Sequence, residues 1–472
     1  MCTADLRLAG GSVLLADGRI VQADLLVTGG RIAGILTPGS SAPAEQTVPL
    51  DGLTVLPGVV EPHLHLGHGS DISRPQVPAD VDAETAAAAV GGVTSFIPYV
   101  LSTEEYGGIF EELKSTIEAG ARIDFGMHFI MASEEQLARV AHYVDGLGVP
   151  TLKFFMSSRG TEGARIGLPH LDDGYLFRLL EKLHAAGGML CPHPESIEVA
   201  WVLRDRAKKA DPEGHGGLLS WNATSPPFVE AEGVRRVCYF ARTLGTPVYL
   251  VHISSHEALL ACRAARAEGG RIFVETCIHY LTLDTASDVG DRAKVNPPIR
   301  EPADREALWR AVADGVVDTV GTDHVHRPFS LKEGGIWKAS NGFPGMETLL
   351  PALLTEGCRR GISVPRLSDL VSRNPARIMG LGATKGQITV GADADFAIVD
   401  LNARWTMQRE HVQSAAGFSV FEGKTMEARV IHTLVRGRFV LRDGELMADA
   451  VGTGRYLPRR LDPALTAPTP IA

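Results

Sequence analysis

Two hydrophobic periodicities divide the chain. From residue 1 to 52, short apolar runs alternate with turn signals: Leu6-Arg-Leu8, Ser12-Val-Leu-Leu15, Ala16-Asp-Gly-Arg19, Leu25-Leu-Val27 and Thr28-Gly-Gly-Arg31. Runs of this length, broken by Asp-Gly and Gly-Gly, predict hairpins of a small sheet. The same texture returns at Ala394–Asp400 and Thr433–Gly444. One small β-sandwich domain is therefore expected, built from both ends of the chain (1–52 and 385–455). Between them, over 53–384, apolar runs of strand length fall at 54–66, 93–100, 123–131, 150–157, 188–195, 247–254, 272–281 and 317–325. Amphipathic stretches separate them at 104–119, 133–147, 173–186, 230–244, 256–268 and 303–313. Strands alternating with helices in this way predict an α/β fold, a closed parallel (β/α)8 TIM barrel. An open doubly wound sheet is the alternative, but no Gly-x-Gly-x-x-Gly turn follows a strand. Long connections at 197–228 and 325–345 are of the kind that is functional or disordered. From Tyr456 onward, Pro458, Pro463, Pro468 and Pro470 predict an extended tail over 456–472, able to lie across a neighbouring subunit.

The 472 residues leave room for one large domain and a smaller one. A net charge of −10 without any basic block argues against nucleic acid or an anionic membrane as partner. No apolar run approaches a membrane span, and the first residues lack the basic-then-apolar pattern of a signal peptide. The six cysteines are scattered without a Cys-x-x-Cys pair, which suits a reducing compartment. The expectation is a soluble cytoplasmic protein.

Candidate chemistry sits at the predicted strand ends, where a barrel of this kind places its active site. In Leu56-Pro-Gly-Val-Val-Glu-Pro-His-Leu-His-Leu-Gly-His68, His63 and His65 are two residues apart on a strand and leave the same face. Such a pair is half of a divalent-metal site, although two hydrogen-bonded core histidines would read the same. Strand four contains Lys153 in an otherwise apolar run. A buried lone ammonium is disfavoured, so it needs a carboxylate partner or must lose its proton. A neutral amine can react with carbon dioxide to give a carbamate, an anionic ligand with two oxygens. Strands five, six and eight end on His193, His252 and Asp323. Together these six residues suit two divalent ions with a hydroxide between them.

This set resembles the amidohydrolase superfamily, in its branch of cyclic-amide hydrolases: hydantoinase, dihydropyrimidinase, allantoinase and dihydroorotase. The resemblance covers nearly the whole chain. It extends to Glu275-Thr-Cys-Ile-His-Tyr-Leu281, Asn296-Pro-Pro-Ile-Arg300, Gly345-Met-Glu-Thr348 and Asn374-Pro-Ala376. It implies that His63, His65 and Asp323 hold one metal, that His193 and His252 hold the other, and that a carboxylated Lys153 bridges them. Zinc is the default for such ligands, with manganese or cobalt also fitting. It further implies that the bridging hydroxide attacks the ring amide carbon, with Asp323 as general base and then acid. Asn296 and Asn341 match positions that read the imide edge of the ring. The implied partner is a small cyclic amide, of hydantoin or dihydropyrimidine type, and the implied assembly a homo-oligomer, dimer or tetramer.

Four positions depart from the family pattern. Glu61 stands where Asp is common before the His-x-His. Ser158, five residues after Lys153, stands where hydantoinases and dihydropyrimidinases usually carry an oxyanion-donating Tyr. Gly67 stands where dihydroorotases carry an Arg for the substrate carboxylate, which argues against that substrate. Ile278 replaces a usual Pro of the allantoinase pattern. An allantoinase, or an enzyme of an acyclic amide, urea or carbamate, is thus the alternative. His128 is expected to be structural, and Arg159 and Arg327 either hold an anionic substituent or are solvated.

Overall fold

A computed structural model describes residues 3–165 and 171–466. Eight parallel strand positions close into the expected barrel: Val59–His65, Val93–Leu101, His128–Ile130, Thr151–Phe155, Met189–His193, Val248–Leu250, Ile272–Cys277, and an eighth in two pieces, Thr319–Gly321 and His324–Val325. The pieces of the eighth strand close the ring from opposite sides. Thr319–Gly321 pairs with strand seven, Glu275 facing Thr319, and His324–Val325 pairs with strand one, Val325 facing His65. The barrel interior is filled by Val60, Ile97, Tyr99, Ile130, Cys191 and Tyr249, all essentially inaccessible. Helices cover the outside with their apolar faces. Asp173–Ala186 buries Leu176, Leu179, Leu180 and Leu183; Asp172 caps its start and Gly187, at φ 69°, ends it.

The two ends of the chain share one sheet. Ala4–Leu14 pairs antiparallel with Ile20–Thr28 and parallel with Thr54–Pro57, which pairs antiparallel with Phe396–Asp400. Thr54–Pro57 then runs straight into barrel strand one through Gly58, where a Cβ would come within 2.1 Å of Thr94 Oγ1. The small domain and the barrel are also tied by the buried Lys385, whose ammonium meets Asp124 and Asp395, each at 2.7 Å.

Several expected boundaries shift. The stretch 133–147 is two pieces, a short helix Glu134–Ala138 and a π-turn His142–Gly146. Strand seven stops at Cys277, and Ile278–Thr282 is a helical turn. The long connection 197–228 is largely helical, with Ile197–Ala210 and Leu218–Asn222. Residues Tyr456–Leu461 lie along the chain's own barrel: Leu457 N–H donates to Phe125 O and Arg459 N–H to Gly148 O. Pro463–Thr466 forms one helical turn, while Pro468 and Pro470 fall outside the described residues. Among the described residues no helix is long and apolar enough to cross a membrane.

Candidate functional site

All nine residues singled out above line one cavity at the carboxyl ends of the barrel strands: His63, His65, Lys153, Ser158, His193, His252, Asn296, Asp323 and Asn341. Strand alternation delivers the first of them. His63 and His65 leave strand one on the same side, Lys153 comes from the middle of strand four, and His193 is the last residue of strand five. His252 and Asp323 arrive differently. Each lies just past its strand in left-handed backbone, with φ of 44° and 49°. A non-glycine residue there is uncommon and costs on the order of 1 kcal/mol or more. That conformation breaks the strand alternation, and both side chains line the cavity.

Carboxylates behind the rings fix their protons. Glu275 Oε1 accepts from His63 Nδ1 at 2.7 Å, and Glu195 Oε2 accepts from His193 Nε2 at 2.6 Å. Each imidazole is then left with a bare lone pair on its other nitrogen. His63 Nε2 directs that lone pair to Asp323 Oδ1 at 3.3 Å, an acceptor facing an acceptor, and has no hydrogen-bond partner. His65 Nε2 lies 3.5 Å from the same oxygen. His193 Nδ1 faces His252 Nε2 at 2.9 Å. Lys153 Nζ is buried without a hydrogen-bond partner, 4.5 Å from the Tyr99 ring centroid. Lone pairs and carboxylate oxygens converging in a buried space are what a cation requires. His63, His65 and Asp323 each offer one ligand atom within 4.8 Å of the others. The donor set therefore fits divalent metal.

The protonation states agree with that fit. Burial lowers Lys153 to about 8, within reach of the neutral amine, and lowers His65 to about 4. Burial also holds His252 well below its ordinary value. Burial opposes ionisation of Asp323, but His63, His65 and Lys153 around it outweigh that and hold it well below the usual carboxylate range. Behind the candidate ligands, Glu61 accepts from His63 N–H at 2.9 Å, and burial raises its pKa well above the ordinary value.

Of the other polar residues at the mouth, Ser158 Oγ and Asn341 Oδ1 are buried without a hydrogen-bond partner, and Asn296 lies on the same wall. Arg159 neither holds an anion nor is solvated; Glu198 at 2.7 Å and Asp173 at 2.6 Å occupy it. Arg327 lines the cavity and donates to Ser70 O and Asn341 O. His128 is structural, held between Thr151 Oγ1 at 2.6 Å and Pro62 O at 3.1 Å. His324 pairs with Glu84 at 2.8 Å, His279 packs on Phe343, and His68 pairs with Asp80 at the surface. Sequence reasoning gave no role to Glu195 and Glu275. The spacing of Glu195, two residues past His193, was a readable signal; the meeting of Glu275 on strand seven with His63 on strand one was not.

The amidohydrolase family model matches residues 218–440. The chain is 33% identical to an allantoinase of Deinococcus radiodurans, over 97% of this chain and 99% of that protein. It is 31% identical to a D-hydantoinase of Geobacillus stearothermophilus, over 97% of each. Among solved structures, the D-hydantoinase of a Bacillus sp. AR9 superimposes with a TM-score of 0.87 at 30% identity, covering 97% of this chain and 100% of that one.

Proposed function

This chain belongs to the amidohydrolase family, in its cyclic-amide branch, and we propose that it opens a hydantoin-type or dihydropyrimidine ring at a binuclear metal centre. The observation that carries the reading is the buried meeting of six side chains around one cavity, with the His63 lone pair directed at the Asp323 carboxylate. In this reading His63, His65 and Asp323 hold one ion, and His193 and His252 hold the other. Lys153, carboxylated on its neutral amine, would supply a ligand oxygen to each. When bound, two divalent cations, zinc or alternatively manganese or cobalt, supply the Lewis acidity that acidifies water and polarises the amide carbonyl.

The chain's own residues do the rest. Glu275 and Glu195 keep His63 and His193 in the tautomers that present a lone pair. Asp323, ionised and buried, accepts the proton of the attacking water and returns it to the leaving ring nitrogen. Asn296 and Asn341 read the imide edge, and apolar Phe155, Ile72 and Val295 line the wall around them. A small-molecule substrate fits the absence of a basic surface block, and a cytoplasmic dimer or tetramer is the assembly this reading implies.

Ser158 favours a second reading. Its hydroxyl is too short to reach where a tyrosine would stabilise an oxyanion, which leaves room for allantoin or for an acyclic amide, urea or carbamate. A panel of hydantoin, dihydrouracil, allantoin and an open-chain urea, run on metal-loaded protein, decides. Turnover of hydantoin or dihydrouracil supports the proposal; turnover confined to allantoin or to open-chain compounds favours the second reading, and none at all overturns both.

A further inference from the structure

The wall that carries Asn296 and Asn341 is pinned from behind by a buried lysine that the proposed chemistry does not use. Lys332 belongs to the short helical turn Phe329–Lys332 after strand eight and is only 3% exposed. Its ammonium has no carboxylate within ion-pair distance among the described residues. It donates instead to two backbone carbonyls, Lys294 O at 3.0 Å and Ser340 O at 2.7 Å. Those carbonyls stand two residues before Asn296 and one residue before Asn341. Lys294 O also accepts from Gly342 N–H at 3.0 Å, and Ser340 N–H returns to Leu331 O at 2.8 Å. One side chain thus joins the two segments that carry the proposed ring-reading asparagines.

Burying an ammonium without a counter-ion is unfavourable. Burial and the neighbouring Lys294 and Arg327 lower its pKa well below the ordinary value, with Asp291 opposing them. A Met here would fill similar space at lower cost but could make neither hydrogen bond. Those two bonds fix the spacing of the segments that carry the asparagines.

Resting on the cyclic-amide reading, we infer that Lys332 is a positioning residue: it sets the separation of Asn296 and Asn341 and so selects a ring whose imide edge spans it. Lys332→Met in the metal-loaded enzyme should raise KM for hydantoin on the order of tenfold, the loss expected for two buried hydrogen bonds, with kcat changed less than about threefold. Metal content should be unchanged, and Lys332→Arg should recover part of the loss. Added to Asn341→Ala, Lys332→Met should have little further effect, because it acts through that residue. An unchanged KM, or losses that simply multiply, overturns the inference. Should Lys332→Met fail to fold, Lys332→Gln is read in the same way. Should the wild type open no cyclic amide, the reading above fails by itself; calorimetric binding of succinimide to metal-loaded wild type and variant then tests the lysine, equal affinities overturning it and a weakened variant upholding it.

Discussion

At the scale of single residues, the energetics turn on Lys153. A buried ammonium without a partner is unstable, and burial brings its pKa from 10.5 to about 8. Between those two values the unfolded chain binds more protons than the folded one, so metal-free protein gains stability as pH rises through that window. Below it both states hold the proton and the full burial cost weighs on the fold. Relative to Lys153→Met, the melting temperature of metal-free wild type should therefore climb between about pH 8 and about pH 10.5; a constant gap would mean that Lys153 does not titrate there. In the loaded enzyme, Lys153→Ala should lower activity by about a hundredfold or more and deplete at least one metal. Full activity without any added short carboxylate would refute the bridging role, whereas partial rescue by one is the expected result. The candidate ligands were legible in the sequence because His, Lys and Asp inside apolar strands need a physical reason. Their carboxylate partners were less so, since Glu275 reaches His63 from strand seven, over 212 positions of chain.

Among the elements, legibility followed periodicity. The helix Asp173–Ala186 has the bounds its amphipathic pattern predicts, because cap, apolar stripe and terminal glycine agree. Patterning failed where burial is blind to backbone geometry. Ile278, Tyr280 and Leu281 are buried in a helical turn as they would be in a strand. The eighth strand reads as one apolar run but breaks at Asp323, whose left-handed backbone no hydrophobic pattern encodes. The 197–222 insertion is seated on the loop after strand eight. Trp337 Nε1 donates to Asp211 O at 2.8 Å, and a Cβ at Gly214, φ 74°, would stand 2.7 Å from Ile336 Cγ2. Trp337→Phe should cost about 1 kcal/mol and speed amide exchange over 211–217; Gly214→Ala, which adds strain and a clash, should speed it further. Unchanged protection in both variants would mean that the insertion is held elsewhere.

Across the whole molecule, the C-terminal segment reaches the floor of the site from the opposite end of the barrel. Arg459 is buried, donating to Met127 O, to Met379 O at 3.2 Å and to Thr151 Oγ1 at 2.8 Å. Thr151 Oγ1 is shared with His128, which stacks on Tyr99 at 4.2 Å between centroids. Tyr99 in turn lies 4.8 Å from the His63 ring and beneath the Lys153 ammonium. The contacts run without a gap from the tail, through the barrel axis, to two of the proposed metal ligands. Cutting the chain after Arg455 leaves the carbonyls of Met127 and Met379 without their donor in a buried place, at a cost of about 1–3 kcal/mol for each unsatisfied group. It also frees His128, and with it Tyr99, to move. The truncated protein should unfold at lower denaturant concentration and lose metal to a chelator faster than full-length protein, and Arg459→Met should reproduce part of both effects. Faster metal loss is the discriminating readout. If stability falls while metal is retained as before, the tail only covers the base of the barrel; if both fall together, the C-terminal segment helps to hold the proposed ligands in register.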